Sequence, residues 1–266
     1  MFLGAWRRIG LTSAVCLLAL LAGCASSAWT FHRSLEIGAK PWGHSTVSSP
    51  NYPVRFGDTS ERFEVRPGDC SRGHDGWDDC STNRERSELA QTGGQNDGSE
   101  YWYGWSIFFP DEFENMYPTQ VTLGQFHQIG GKPVFMFKNG EPPSYYSYHV
   151  EPGGYWLQDR TYPASPRSYN LIDEKDLRGV WHDILVHARW SRKDDGFFRV
   201  WVNGTQRVDR DGKTMTKSKV YFKYGIYRRG LRPKTVTQVV YYDEILRGKS
   251  RELVDIRLIE RQQNNQ

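Results

Sequence analysis

The chain has 266 residues, of which 38% are hydrophobic and 14% aromatic, with 15 Tyr, 13 Phe and 10 Trp. That content supports one substantial core, and rings at this density favour strands and suit sugar-facing walls as well as packed interiors. The formal charge of +4, which falls to +2 once Arg7 and Arg8 leave with a signal segment, is not the footprint of a nucleic-acid binder.

Arg7 and Arg8 precede the apolar run IGLTSAVCLLALLAG, which is too short to span a bilayer comfortably and fits the hydrophobic region of a secretory signal. The run closes on LAGC, residues 21–24, which resembles the bacterial lipobox. The resemblance implies cleavage before Cys24 and lipidation of Cys24. With Ala25 next in the chain, it also implies an outer-membrane lipoprotein facing the periplasm or the cell surface. An ordinary signal peptide cut near Ala28 is the alternative. Residues 1–23 are thus read as signal, 24–60, rich in Ser, Pro and Gly, as a lipid-anchored tether and irregular lead-in, and 61–266 as the folded domain. With Cys16 and Cys24 accounted for, Cys70 and Cys80 are left in an oxidising compartment and are expected to form a disulfide across CSRGHDGWDDC. Asp69, Asp75, Asp78 and Asp79 cluster there, but their spacing fits no calcium loop. No cofactor is expected, with a structural calcium ion left open.

Short strand-like runs then follow with turn signals between them. In chain order they are ERFEVRPG, RERSELAQ, EYWYGWSIFFP (ended by Pro110), VTLGQFHQIG, PVFMFKNG, SYYSYHVEPGG, WHDILVHARW, GFFRVWVNG, KVYFKYGIY and QVVYYDEIL. Asn203–Gly204 is a strong turn signal. PDEFENMY offers one helical turn at most. Many short strands in one chain predict an all-β jelly-roll sandwich. Period-2 alternation places Phe198, Val200 and Val202 on one face and Arg199, Trp201 and Asn203 on the other. It likewise separates Phe222, Tyr224 and Ile226 from Tyr221, Lys223, Gly225 and Tyr227. The polar faces are expected to line a concave groove, with Gly225 leaving room for a close approach to the backbone.

Three segments carry chemistry. Arg84, Arg86 and Glu88 share a strand face, as do Gln125 and His127, and as do Tyr221, Lys223 and Tyr227. If these strands are neighbours, a guanidinium, an amide, an imidazole and two phenols meet. Such a set suits β-elimination on a uronic acid. Donors disperse the charge that builds on the carboxylate, a base removes the C5 proton, and an acid protonates the oxygen leaving C4. A tyrosine serves if nearby Lys223 and Arg86 lower its pKa; His127 is the other candidate base. Glu88 has a structural alternative, pairing with Arg84, Arg86 or Lys223. His182 and His187 read as packing or surface groups, and His74 lies at the expected edge of the groove. Arg228, Arg229, Arg232 and Lys234 form a local basic segment.

RSEL, QFHQ and YFKYGIYRR, in that order, resemble the three signature strands of jelly-roll polysaccharide lyases. GDC…RERSEL and YWYGWSIFFPDEF resemble more closely the heparin-lyase-like family that includes glucuronan lyases. The likeness runs from about Glu61 to Ile245. It implies that Arg86 and Gln125 hold the uronate carboxylate, that His127 neutralises it or acts as base, and that Tyr221 or Tyr227 is the acid and also a candidate base. The lysine-x-glycine-x-tyrosine core favours Tyr227. Lys223, Arg228 and Glu88 are expected to contribute to binding an anionic polysaccharide by a monomer. Arg228–Arg229 replaces the asparagine–glutamine usual in alginate lyases, which leaves glucuronan-type polymers open beside alginate. Two rivals stand: a non-catalytic glycan-binding lipoprotein of the same fold, and a glycoside hydrolase. The hydrolase needs two carboxylates flanking the bond, and the glutamate-x-aspartate-x-x-glutamate strand is missing; comparable acidity occurs only in YYDEIL, residues 241–246.

Overall fold

The computed structural model describes residues 29–140, 152–162, 164, 166–232 and 235–265. The signal segment with Cys16 and Cys24, most of SYYSYHVEPGG and Lys234 lie outside the described residues. The strands are, in chain order, β1 (Phe31–Arg33), β2 (His44–Ser48), β3 (Thr59–Val65), β4 (Arg84–Gln91), β5 (Gln95–Asn96), β6 (Glu100–Phe108), β7 (Gln120–Gln128), β8 (Phe135–Asn139), β9 (Tyr155–Asp159), β10 (Arg167–Ile172), β11 (Trp181–Arg189), β12 (Phe197–Val202), β13 (Thr205–Asp211), β14 (Lys219–Arg229) and β15 (Gln238–Gly248). A single α-helix among the described residues, α1 (Ile256–Gln263), follows them. PDEFENMY forms turns rather than a helix, with Phe113 buried.

Two antiparallel sheets stack face to face, as the jelly-roll reading requires. One has the order β1-β4-β14-β7-β8-β9-β10, with β5 also paired to β14; the other runs β13-β12-β11-β6-β15-β3-β2. The core between them is the sum of the inward parities: Phe222, Tyr224 and Ile226 of β14 meet Phe63 of β3, Tyr103 and Trp105 of β6, and Phe198 and Val200 of β12. Burial of these rings and branched chains, each worth about 1.5–3 kcal/mol, fixes the register, because a one-residue slip would expose every one of them.

Three sequence expectations change here. The segment 24–60 is not all tether: β1 pairs with β4 and β2 with β3, so the fold begins well before residue 61. Both strands are short and lie at sheet edges, where one neighbour suffices and apolar alternation is weak. Arg199 and Trp201 do not line a groove with Tyr221 and Lys223. They lie on the outer face of the opposite sheet, where Arg199 pairs with Asp209 and Asp211 at 2.8 and 3.0 Å and Trp201 stacks on Trp102. Gly225 makes no room for a ligand. It sits in a β-bulge between β14 and β7 at φ +121°, and a Cβ there would fall 2.4 Å from the Ser87 carbonyl oxygen and 2.8 Å from the Phe63 ring. The glycine is required by backbone geometry and core packing.

Candidate active site

Strand β14 lies between β4 and β7, and the register decides which side chains meet. Tyr221 is opposite His127, Lys223 opposite Gln125, and Tyr227 opposite Arg86. Directly opposed residues have Cβ atoms roughly 4.5–5.5 Å apart. Groups distant in sequence therefore become neighbours: the His127 and Tyr221 rings are 5.3 Å apart, and the Arg86 guanidinium lies 4.2 Å from the centre of the Tyr227 ring. These residues line a cleft of about 550 Å³, together with Met136, Arg160 and the loops that carry Ser34 and Trp77. The five residues expected to be catalytic thus converge on one cleft.

Its floor is a buried ionic network. Arg86 binds Asp79 through Nε (2.7 Å) and Nη2 (3.0 Å), and Glu88 and Ser34 Oγ through Nη1 (2.9 and 3.3 Å). Glu88 also accepts a hydrogen bond from Gln125 Nε2 and lies 3.4 Å from Lys223 Nζ, which donates to Ser34 Oγ at 2.7 Å. Burial alone would push the Glu88 carboxyl up, but Lys223, Arg86 and the Gln125 amide together hold it below the usual range. Burial pulls the Lys223 ammonium down. Two cations and two carboxylates cancel formally. Against the donor capacity of each group, one N–H of Arg86, one of Gln125 and one of Lys223 remain for a ligand. Glu88 lies behind this floor and, unlike Gln125, does not line the cleft, so it holds the donors in place rather than reaching a ligand as its strand face suggested.

His127 and the two tyrosines stand above the floor. The His127 Nδ1 lies 3.0 Å from the Gln128 carbonyl oxygen, which can only accept, so the proton sits on Nδ1 and Nε2 is left with its lone pair. Burial, and next the Lys223 charge, lower the imidazole to about 4. The phenols go the other way from expectation. Burial, with Glu88 adding to it, pushes Tyr221 up to about 12, and burial raises Tyr227 despite Arg86 and Arg84. Desolvation outweighs the cations, so both tyrosines are protonated at neutral pH. The Tyr227 hydroxyl accepts from Arg84 Nε at 2.7 Å.

Arg228 does not belong to the site. It has the parity of Phe222, Tyr224 and Ile226, is fully buried, pairs with Glu85, and donates to the Val236 carbonyl at 2.5 Å. Its neighbour Arg229 reaches the cleft instead and donates to Gln120. His74 is exposed beside Glu36 and does not border the cleft. His182 bonds the Leu177 carbonyl, and His187 stacks on Trp102. The Cys70–Cys80 disulfide is formed, with the Cα atoms 5.0 Å apart. The acids around it have separate partners: Asp79 holds Arg86, Asp69 accepts from Trp42 Nε1 at 2.9 Å, and Asp78 pairs with Arg72 at 3.0 Å. No three His, Cys, Asp or Glu side chains among the described residues gather as metal ligands.

Sequence reasoning missed Ser34, Asp79 as the anchor of Arg86, Trp77, Met136 and Arg160. Ser34 follows a short edge strand, and Asp79 and Trp77 lie in a loop without periodicity. The one available signal was the disulfide, which pins that loop against the start of β4.

Residues 26–246 match the family described as polysaccharide lyase. No match was found among curated protein sequences. Among solved structures, an endo-β-1,4-glucuronan lyase from the fungus Trichoderma reesei aligns with a TM-score of 0.60 at 17% identity, over 85% of this chain and 97% of that one. Alginate lyase PA1167 from Pseudomonas aeruginosa aligns at 0.51 and 18% identity, over 72% and 83%. Alginate lyase AlyC3 in complex with dimannuronate aligns at 0.50 and 10% identity, over 71% and 74%. At these identities the structures establish a shared jelly-roll fold, while the family match spans most of the sequence and includes every residue of the cleft's floor. The chain therefore belongs to the polysaccharide lyase family.

Proposed function

We propose that this lyase cleaves a uronic-acid-containing polysaccharide, glucuronan, alginate or a related polymer, by β-elimination in the β4–β14–β7 cleft. The observation that carries the reading is the convergence of Arg86, Gln125, His127, Tyr221 and Tyr227 on that one cleft. The spare N–H groups of Arg86, Gln125 and Lys223 receive the carboxylate and stabilise the enolate-like charge that develops on it. Neutral His127, with its free Nε2, takes the C5 proton, since both tyrosines are protonated and cannot accept it. The C5–H electron pair becomes the C4–C5 double bond, the C4–O4 bond breaks, and a protonated phenol donates its proton to O4. Tyr227 suits the acid role, because Arg84 and Arg86 stabilise the phenolate left behind. Arg84, Arg160 and Arg229 around the cleft hydrogen-bond neutral partners, namely Tyr227, Met136 and Gln120, and so keep their charge for a polyanion. The neighbouring structures, a glucuronan lyase and a dimannuronate-bound alginate lyase, agree in substrate class.

The LAGC sequence supports anchoring of this activity at the outer membrane through lipid on Cys24. No helix among the described residues is long and apolar enough to cross a membrane.

The test is incubation with polyglucuronate, alginate and heparin while ultraviolet absorbance of the unsaturated product ends is followed. Tyr227→Phe is expected to lower kcat by about 10²–10⁴-fold with little change in binding, as for loss of a general acid. Wild-type protein that releases no unsaturated ends from any uronate polymer would refute the proposal.

A further inference from the structure

Trp77 lies outside the three signature strands, on the loop closed by Cys70–Cys80, and is 42% exposed while lining the cleft. An indole held in water contributes nothing to the core, yet this one is fixed in place. Its Nε1–H donates to Asp79 Oδ1 at 2.9 Å, and its backbone N–H donates to Asp75 Oδ1 at 3.1 Å. Its carbonyl accepts from the Gly73 N–H at 2.8 Å, and the loop around it is tied by the disulfide and by bridges from Arg72 to Asp78 and from Arg72 to Ile37. A ring immobilised in advance loses little conformational entropy when something packs on it.

Two contacts set its position relative to the chemistry. Asp79 Oδ1 accepts from both Trp77 Nε1 and Arg86 Nη2, at 2.9 and 3.0 Å, so one buried carboxylate registers the indole against the guanidinium. Arg84 has its guanidinium carbon 5.0 Å from the Trp77 ring centre while its Nε donates to the Tyr227 hydroxyl. The indole therefore stands beyond Tyr227, one side chain removed from the proposed acid. The Arg84 guanidinium lies over the ring, and the apolar surface left exposed, beside the Asp75 carboxylate, matches a pyranose, which has C–H groups on its face and hydroxyls around its edge.

We infer that Trp77 is a substrate-binding platform, on which the pyranose next to the reacting uronate, on the Tyr227 side, stacks. The inference rests on the lyase reading above and adds a specific subsite to it. Contact with a sugar ring acts on affinity equally in the ground and transition states, so its signature is in KM.

The experiment compares full-length wild type, Trp77→Ala and Trp77→Phe on whichever uronate polymer the wild type degrades and on its short oligosaccharides. Trp77→Ala is expected to raise KM for the polymer roughly tenfold with kcat within about twofold. Trp77→Phe, which keeps a ring but loses the hydrogen bond to Asp79, is expected to fall between. Binding is read separately, from tryptophan fluorescence of Tyr227→Phe titrated with an oligosaccharide spanning the subsite. The emission change should vanish when Trp77→Phe is added. Both variants lose the hydrogen bond to buried Asp79 and should unfold at similar midpoints, so a larger KM in Trp77→Ala than in Trp77→Phe reports the lost ring. An active wild type whose Trp77→Ala variant keeps the wild-type KM, or a fluorescence response that survives Trp77→Phe, would overturn the platform. Wild type silent on every uronate polymer would instead overturn the substrate reading.

Discussion

His127 is the most exacting test of the site, because its neutrality follows from packing and not from its residue type. Burial and the nearby Lys223 charge lower it from an ordinary value of 6.5 to about 4. As pH falls below the ordinary value, the unfolded chain takes up a proton that the folded site refuses. The associated stability is thus complete above about pH 6.5 and is lost as pH falls towards 4. The difference between the two values corresponds to at most about 3 kcal/mol, since the ring borders the cleft and water screens part of the effect. Urea unfolding of wild type and His127→Gln at pH 7, 5.5 and 4 measures it directly. Wild type should lose up to that amount more than the variant across the range. The imidazole resonances of His127 should show one titration near pH 4. A uronate oligosaccharide bound to the Tyr227→Phe variant should move that titration upward, because the arriving carboxylate opposes Lys223. A ring that titrates in the ordinary histidine range, with a wild-type-minus-variant difference independent of pH, would refute the assignment of a neutral, Nε2-free imidazole.

Neighbouring arginines should behave oppositely. Arg228→Ala strands the buried Glu85 carboxylate and is expected to cost about 3–5 kcal/mol in urea unfolding. Arg229→Ala should leave stability within about 0.5 kcal/mol and raise KM for a polyanion instead; the reverse pattern would contradict the inward parity of Arg228. Gly225→Ala should destabilise by about 3 kcal/mol or more, through overlap with Ser87 and Phe63 and strain at positive φ. A variant with wild-type unfolding would show that the bulge is not held as described.

The central strands were legible because they alternate. RERSELAQ coincides with β4, and the KVYFKYGIY reading falls two residues short of the end of β14. Both strands are packed on one face and line the cleft on the other, so their sequence separates the two faces. The strands that escaped notice lie towards the sheet edges or are very short. In β13, TQRVDRD, only Val208 and Arg210 point inward, and a buried arginine paired with Asp159 does not read as apolar. Arg228 teaches the same lesson from inside a recognised strand: its parity with Phe222, Tyr224 and Ile226 placed it in the core, and its charge suggested the surface. Position along the strand outranked residue type because Glu85 was present to pair with it. Helix α1 escaped because it is only eight residues long, too short for the spacing of Ile256 and Ile259 to stand out as a periodic run. Polar contacts fasten its start and flank: Asp255 caps it, and Glu260 shares the Arg55 guanidinium with Asp183.

The tyrosine pKa values were misjudged for a related reason. From sequence, Arg86 and Lys223 are two cations beside two phenols, which suggests easy ionisation. In the fold, Asp79 and Glu88 neutralise those cations before either phenol meets them. What is left for Tyr221 and Tyr227 is mainly desolvation, and desolvation favours the protonated form. The same neutralisation has a use. Donors already locked by carboxylates do not have to reorganise when charge develops on a substrate, which is the condition under which hydrogen bonds stabilise a transition state most effectively. A floor with no net charge exerts little pull on a distant polyanion, so that task falls to Arg84, Arg160 and Arg229 at the wall, whose field is screened by salt. On the proposed reaction, capture and chemistry fall to different cations, and Arg84, bonded to the Tyr227 hydroxyl and facing Trp77, is where the two would meet.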